Sequence, residues 1–264
     1  MQAILSDIHG NLEALTAVLA DIALFDVKRI ICLGDTVGYG PNPIECLEIV
    51  RERCGLALCG EQDRAIFMDD FSGWTPHAAV GAIRLAQARL RLPEQAELLR
   101  YLDGLQPSQH EGSRLYVHGS ARDPLTDYLF PEDVYNPRKL ERIFDLILHV
   151  CFCGHTHVPG VITDSGWRFD PKTARRERVG DGVHEWHQPE GDDWAFTLDE
   201  RLAVVNVGSV GQPRDGDPRA GYVLADGVHL RFRRVPYDVD ATVRKIHAIP
   251  DLEDFLGDRL REGR

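Results

Sequence analysis

The stretch AILSDIHGN at residues 3–11 decides the fold class. It begins with an apolar run at residues 3–5 and passes directly into the polar turn SDIHGN. Apolar residues then recur at helical spacing through residues 12–22, and Asn11 stands where a helix-capping residue is expected. A short apolar strand, a polar turn and a helix together form the first half of a βαβ unit.

The same arrangement continues along the chain. Apolar runs at residues 30–33 and 56–59 are separated by a second helical pattern. This β-α-β-α-β order predicts parallel strands with helical crossovers in an α/β fold. We predict a single domain over residues 1–264, with a helical insertion at about 64–112 and a polar insertion at about 164–200 that forms hairpins or is irregular.

Composition and charge narrow the class of protein. The 264 residues are 43% hydrophobic and 27% charged, which is typical of a globular protein. The net charge of -12 argues against non-specific binding to a nucleic-acid backbone, which needs a basic surface. The N-terminus lacks the features of a signal peptide, no apolar stretch reaches the length of a membrane span, and the cysteines lie within apolar runs, so we expect a cytoplasmic protein.

Possible metal ligands follow five of the apolar runs. In an α/β sheet, ligands bind outside the carboxyl ends of the strands, so these side chains are expected to converge. Their number exceeds what one tetrahedral ion uses, which favours two ions. In chain order the candidates are Asp7 and His9, then Asp35, then Glu61, Gln62 and Asp63, then His118, and finally His155 and His157.

Taken together, these motifs resemble those of the calcineurin-like metallophosphoesterase family. The family pattern is D-x-H, G-D-x-x-G, G-N-H-D/E, a histidine and G-H-x-H, and the chain has SDIHGN, GDTVGYGP, VHGS at 117–120 and CGHTH at 153–157. The later stretch NVGSVGQPRDGDPRAGY looks like the small bacterial branch of that family. The resemblance covers nearly the whole chain.

The resemblance implies a four-layer αββα sandwich of two mixed β-sheets flanked by helices, with a dinuclear site at the strand carboxyl ends. It implies two divalent ions, which could be Mn, Fe, Zn or Ni. A hydroxide that bridges them would attack a phosphomonoester or phosphodiester, either a small molecule or a nucleotide. One ion would be held by Asp7, His9 and His157 and the other by His118 and His155, with Asp35 bridging; Asp35, Gln62, Asp63 and His118 would act in catalysis.

The third motif departs from the family pattern, because residues 60–63 read GEQD. Glu61 replaces the asparagine that ligates the second ion, and a carboxylate can serve as that ligand. Gln62 replaces the histidine that contacts the phosphate and protonates the leaving group; a glutamine can donate a hydrogen bond to a phosphoryl oxygen, but it cannot deliver a proton. A metal-binding regulatory or scaffold protein with weak catalysis is therefore the alternative hypothesis.

Other interpretations remain open at this stage. Cys151 and Cys153 could join His155 and His157 in a mononuclear zinc site, although an extended chain wraps a tetrahedral ion poorly. A nuclease is disfavoured by the acidic charge. Asn11 could contact phosphate or cap the helix. Two histidines, His184 and His187, are expected at the surface. Two arginines, Arg214 and Arg219, could reach a substrate phosphate, but a turn with solvated charges is favoured.

Overall fold

The computed structural model describes residues 1–71 and 77–264 of the chain. Residues 72–76, which belong to the predicted helical insertion, lie outside the described residues. Two β-sheets form the centre of the described part, and helices pack on their outer faces.

The first sheet is built around the strand at the start of the chain. Its first three strands in sequence run parallel, as the β-α-β-α-β order predicted. A hairpin that turns at Gly227 adds antiparallel strands on the other side. In spatial order the strands of the described part are β10 (Asp193–Thr197), β13 (His229–Val235), β12 (Ala220–Asp226), β1 (Gln2–Leu5), β2 (Arg29–Cys32) and β3 (Leu56–Ala57).

The second sheet is also mixed. Three strands in its middle are parallel to one another, and the outer strands pair antiparallel. In spatial order its strands are β4 (Ser108–Glu111), β5 (Arg114–Val117), β6 (Val150–Cys153), β11 (Arg201–Asn206), β7 (Gly160–Asp170) and β8 (Arg175–Arg178), while β9 (His184–His187) pairs with part of β7.

Residues 164–200 form hairpins, which is one of the two predicted forms, and not irregular structure: β7 extends to Asp170, β8, β9 and β10 follow, and β8 and β9 each pair antiparallel with β7. Along β10, exposed and partly covered side chains alternate. Polar residues can occupy the solvent face of a strand with this two-residue period. Within the predicted helical stretch 64–112, residues 108–111 form β4, which pairs with β5.

Helices cover the outer faces of both sheets. Within residues 1–71 and 77–264, none has the length and hydrophobicity that a membrane span requires. The α-helices in the described part are α1 (Leu12–Ile22), α2 (Pro43–Arg53), α3 (Glu61–Ala65), α4 (His77–Leu90), α5 (Ala96–Asp103), α6 (Pro137–Phe144), α7 (Val239–His247) and α8 (Phe255–Asp258), with short 3₁₀ helices at Pro93–Gln95, Pro131–Tyr135 and Arg259–Glu262.

The core shows the four layers directly. Ile4 and Phe152 point into the cluster between the two sheets. Their neighbours along each strand point outward, so that Leu5 packs towards α1, while Cys151 and Cys153 pack towards α6. The predicted αββα sandwich is confirmed. The two cysteines are core residues, and burial raises their pKa above the ordinary thiol value.

One close approach joins the two sheets at the edge where the parallel strands end. Gly154, directly after β6, lies against the turn after β1. A Cβ at this position would collide with the Ser6 hydroxyl and lie 2.5 Å from Asp7 Oδ2. A residue without a side chain is therefore required here.

We expect Gly154→Ala to lower the free energy of unfolding by about 1–3 kcal/mol, because the added methyl group overpacks a rigid contact. Urea unfolding of the purified protein measures this. Gly180→Ala is the matched control, since a Cβ at Gly180 has no atom within 4 Å. Equal unfolding midpoints for the two variants would contradict the proposed contact.

Candidate metal centre

Six of the predicted ligands meet at the carboxyl ends of the parallel strands. They come from both sheets and fall into two groups of three, and within each group the potential ligand atoms lie within 4.8 Å of one another. All six side chains are buried. The first group is Asp7, His9 and His157, and the second is Asp35, His118 and His155.

In the first group, three potential ligand atoms face one another. Asp7 Oδ1 lies 3.1 Å from His157 Nε2 and 3.7 Å from His9 Nε2. The two Nε2 atoms are 3.2 Å apart. Ligand atoms around one transition-metal ion with bonds of about 2.1 Å are separated by roughly 3.0–3.4 Å. The spacing of the group therefore fits a single ion.

Hydrogen bonding supports the same conclusion. His9 Nδ1 lies 3.2 Å from the Val37 carbonyl oxygen, and His157 Nδ1 lies 2.5 Å from that of Gln212. A carbonyl only accepts, so each Nδ1 is the protonated nitrogen, and in the neutral rings each Nε2 carries a lone pair. Two lone pairs and a carboxylate oxygen then face one another without a proton between them. A cation satisfies all three atoms.

The buried oxygen of Asp7 adds to this argument. Asp7 Oδ2 accepts a hydrogen bond of 2.9 Å from the His155 backbone N–H. Asp7 Oδ1, which faces the two imidazoles, has no hydrogen-bond partner among the described residues. Buried polar atoms without a partner are rare, and a metal ion is one of the accepted explanations.

The second group contains an ion pair in the absence of a metal. His118 Nε2 lies 3.3 Å from Asp35 Oδ2 and 3.0 Å from His155 Nδ1. Burial alone would lower the pKa of His118, but the adjacent Asp35 charge outweighs it and raises the pKa to about 9. Burial, followed by the charge of His118, lowers the pKa of His155 to about 4. An ion that binds here must displace the His118 proton.

Asp35 stands between the two groups. Its Oδ2 lies 3.3 Å from His118 Nε2 and 3.8 Å from His9 Nε2. Its Oδ1 accepts a hydrogen bond of 2.7 Å from the backbone N–H of Gln62. One carboxylate oxygen is thus free to serve both groups, as a bridging ligand requires.

The backbone is unusual at these positions. Residues other than glycine rarely adopt a positive φ, which costs roughly 1–2 kcal/mol, although aspartate and histidine tolerate it better than most. Five of the six clustered residues and Tyr39 do so, with φ values of 55° at Asp7, 49° at His9, 52° at Asp35, 53° at Tyr39, 68° at His155 and 62° at His157.

Glu61 and Gln62 begin α3 at the edge of the second group. Glu61 is half-buried and belongs to neither group of three in the described part of the chain. Burial, and then the charge of Asp35, raises the pKa of Glu61 to about 7. Gln62 is buried, its side chain packs against Gly38, and its Oε1 has no partner among the described residues. Their predicted ligand and substrate-contact roles stay predictions.

Asp63 is held by backbone groups. Its Oδ1 accepts from the N–H groups of Thr36 and Val37 at 3.0 and 3.1 Å, and its Oδ2 accepts from Gly60 at 3.1 Å. Burial, together with the charge of Asp35, raises the pKa of Asp63 to about 6. The carboxylate therefore fixes the loop that carries Asp35, while a direct catalytic role stays a prediction.

Asn11 caps α1. Its Oδ1 accepts from the Ala14 N–H at 3.1 Å and from Thr242 Oγ1 at 3.0 Å. Its Nδ2 donates to the Gly211 carbonyl at 2.9 Å and to the Tyr237 hydroxyl at 3.1 Å. Of the two predicted roles the structure displays the capping one, and the phosphate contact stays a prediction.

Three further residues lie near the clusters; the sequence singled out Arg214 as a possible phosphate contact but neither tyrosine. The Tyr39 ring packs edge-on against His9, with centroids 4.7 Å apart. The Tyr128 ring stacks on His155, with centroids 3.9 Å apart. Arg214, predicted in a solvated turn, is half-buried with its Cζ 5.7 Å from the Tyr39 ring centroid. Tyr39 lies within the quoted GDTVGYGP motif, but the polar loop gave no signal for Tyr128.

The remaining histidines and cysteines lie elsewhere. His184 is buried against Phe144, so the predicted surface position is wrong for this residue. His187 is partly covered and bonded to Thr163. Neither Cys151 nor Cys153 belongs to a potential metal-binding group among the described residues.

Comparison with known proteins places the chain in a family. Residues 1–228 match the Calcineurin-like phosphoesterase superfamily domain. The chain belongs to this family. An uncharacterized protein of Methanocaldococcus jannaschii is 34% identical over 278 aligned positions, which cover 100% of this chain and 98% of that protein.

Solved structures agree with the fold. A metallophosphoesterase from Sphaerobacter thermophilus is 34% identical, with a TM-score of 0.80 over 100% of this chain and 99% of that one. A hypothetical protein from Pyrococcus horikoshii is 19% identical, with a TM-score of 0.70 over the same shares of the two chains, and supports the fold alone. Calcineurin-like phosphoesterases depend on two metal ions, and the two buried groups suit that requirement. The placement in a small bacterial branch stays a prediction.

We expect elemental analysis of protein reconstituted with Mn²⁺ to find about two ions per chain, and about one in His157→Ala, because only the first group loses a ligand. His187→Ala is the matched control and should retain both ions, since His187 lies outside both groups. Equal metal content in the two variants would contradict the assigned ligands.

Proposed function

We propose that the protein is a dinuclear metal-dependent phosphoesterase that hydrolyses a phosphomonoester or phosphodiester of a small molecule or nucleotide. The observation that carries this proposal is the position of Asp35 Oδ2, which lies within 4 Å of an imidazole nitrogen of each group. Two ligand groups that share a carboxylate would hold two ions close together, as the two-metal mechanism of phosphate-ester hydrolysis requires.

The two ions, of Mn, Fe, Zn or Ni, would acidify water towards hydroxide and neutralise charge on the phosphoryl oxygens. The residues of the chain keep the ligands in place. Backbone carbonyls of Val37 and Gln212 fix the two imidazoles of the first group, and the Gln62 N–H fixes Asp35. Ligands held in this way lose little freedom on binding, which favours tight and specific sites.

We further propose that Glu61 completes the ligand set of the second ion. Its carboxylate is half-buried and close enough to Asp35 and His118 for their charges to act on its pKa. A bound cation would remove the repulsion from Asp35. Arg214 supplies positive charge on the same side: burial, and then the Arg214 charge, lowers the pKa of His157, and the same charge partly opposes the rise in the pKa of Glu61. This positive charge favours an anionic substrate.

Position 62 limits the chemistry. Gln62 cannot protonate a leaving alkoxide, and general acid catalysis typically contributes about 10²–10⁴-fold. This supports the second candidate function, a metal-binding regulatory or scaffold protein with weak catalysis. The chain net charge of -12 favours neither a nuclease nor non-specific nucleic-acid binding.

Hydrolysis of 4-nitrophenyl phosphate and bis(4-nitrophenyl) phosphate, with Mn²⁺, Ni²⁺ or Zn²⁺ added in turn, tests the proposal. We expect turnover of at least one ester and loss of about 10²-fold or more in Asp35→Asn, which weakens the shared ligand. Glu111→Gln, a partly buried carboxylate bound to Arg29 away from the site, is the control. Full metal content without turnover would favour the regulatory alternative.

The rate should fall as the pKa of the leaving group rises, and the fall should be steeper than in Gln62→His. We expect this variant to gain about 10²-fold on esters of poor leaving groups and little on 4-nitrophenyl esters, because only the former need a proton. Gln62→Leu, which has no proton to donate, serves as the control. Identical leaving-group slopes in wild type and Gln62→His would show that the assigned role of position 62 is wrong.

A further inference from the structure

Two exposed aromatic rings stand beside the second metal-ligand group. The ring of Tyr128 lies face to face on the His155 imidazole, with centroids 3.9 Å apart and planes 25° apart. The ring of Phe130 lies parallel to that of Tyr128, with centroids 5.6 Å apart and planes 2° apart. Tyr128 is 39% and Phe130 42% exposed. We call this pair the aromatic wall.

The backbone of the wall is fixed at both residues. Lys139 Nζ donates to the Tyr128 carbonyl at 2.6 Å and to Asp133 Oδ2 at 2.6 Å. The same carboxylate oxygen accepts the Phe130 N–H at 2.8 Å. Lys139 and Asp133 are both largely shielded from solvent, so this linkage is stronger than a surface ion pair. The backbone that carries both rings is therefore held in position before a ligand arrives.

The loop that carries the wall is anchored to the site as well. The backbone N–H groups of His118 and Gly119 both donate to the Pro124 carbonyl, at 3.1 and 2.7 Å. The Ser120 hydroxyl donates to Asp127 at 2.5 Å. The position of the Tyr128 ring is thus tied to the backbone of His118, and both rings stay close to the second group.

We propose that the aromatic wall binds a flat aromatic ring in the group that is esterified to the phosphate of the substrate. Tyr128 and Phe130 would then determine which esters the protein binds. The proposal rests on the proposed phosphoesterase function. Parallel rings that are partly exposed, as these two are, bind flat aromatic groups better than aliphatic groups of equal size, because stacking adds to the burial of apolar area. Tyr128 contacts a ligand of the second group, so a ring beside the phosphorus can reach the wall.

The chemistry at position 62 points the same way. Gln62 delivers no proton, so efficient hydrolysis needs a leaving group that departs as a stable anion. Aryl oxides meet this need, whereas simple alkoxides do not. An aromatic leaving group would therefore stack on the aromatic wall and would also depart without a proton from a general acid. A nucleobase one sugar further from the phosphorus is the other source of a flat ring.

Competitive inhibition by two matched pairs of compounds tests the proposal. Phenylphosphonate and cyclohexylphosphonate differ in ring flatness and are inert to hydrolysis. Adenosine 5′-monophosphate and ribose 5-phosphate differ by the base. We expect the aromatic member of at least one pair to bind about 3–10-fold more tightly than its partner. Preference in the first pair identifies a directly attached aryl group, and preference in the second pair identifies a nucleobase.

The ratio of affinities for the aromatic and the aliphatic inhibitor should fall to near unity in Phe130→Leu and in the Tyr128→Leu/Phe130→Leu double variant. Phe130 belongs to neither ligand group in the described part of the chain, so its variant should keep full metal content. Tyr135→Leu is the matched control, because Tyr135 is an aromatic residue of the same segment that is 87% exposed. It should retain the preference.

The proposed role of the aromatic wall would be wrong if wild type showed no preference for the aromatic inhibitors. It would also be wrong if that preference survived in the double variant. If no ester is hydrolysed, calorimetry on the metal-loaded protein can still measure binding of the two phosphonates. It then reports whether the aromatic phosphonate binds more tightly than the aliphatic one. A preference for the aromatic phosphonate without any hydrolysis would support the aromatic wall and contradict the proposed phosphoesterase function.

Discussion

The structure of the site depends on unprotonated ligand atoms held against one another. His9 and His157 each donate their Nδ1–H to a backbone carbonyl, which leaves both Nε2 lone pairs facing Asp7 Oδ1. Without a cation this arrangement is repulsive and buries a carboxylate oxygen that lacks a partner among the described residues. With a cation the same three atoms become its ligands. The fold thus places these ligand atoms close together before a metal binds, and a metal ion would remove the repulsion between them.

This arrangement also explains why the backbone adopts unfavourable positive φ angles at the ligand residues. His9 follows a strand of the first sheet, and His157 follows a strand of the second, so an ion held by these two residues would join the two sheets. To turn these side chains inward within one or two residues of a strand end, the chain adopts left-handed conformations. Strain of this kind persists only where the surrounding structure enforces it, and here Gly154 permits the required contact.

The sequence predicts the architecture and the clustered ligands well, because both follow from local patterns. Apolar runs that end in polar turns specify parallel strands, and the carboxyl ends of parallel strands meet at one edge. Hairpins within 164–200 could not be distinguished from irregular structure because the segment is mostly polar and few of its residues are covered; in β10, for example, the partly covered residues are Trp194 and Phe196. Tyr128 was missed because its position depends on contacts with Lys139 and His155, which sequence spacing does not encode.

The substitution at position 62 is best understood together with the loop that faces it. A member of this family that keeps its ligands but lacks the acid can still act on esters with stable leaving groups, so selection for such substrates has to come from binding. In the function that we propose, Tyr128 and Phe130 would supply a surface for that purpose, on a backbone fixed through Lys139 and Asp133. The missing proton donor and the two rings would then be two parts of one restriction on substrate, in which binding selects the esters that the remaining chemistry can hydrolyse.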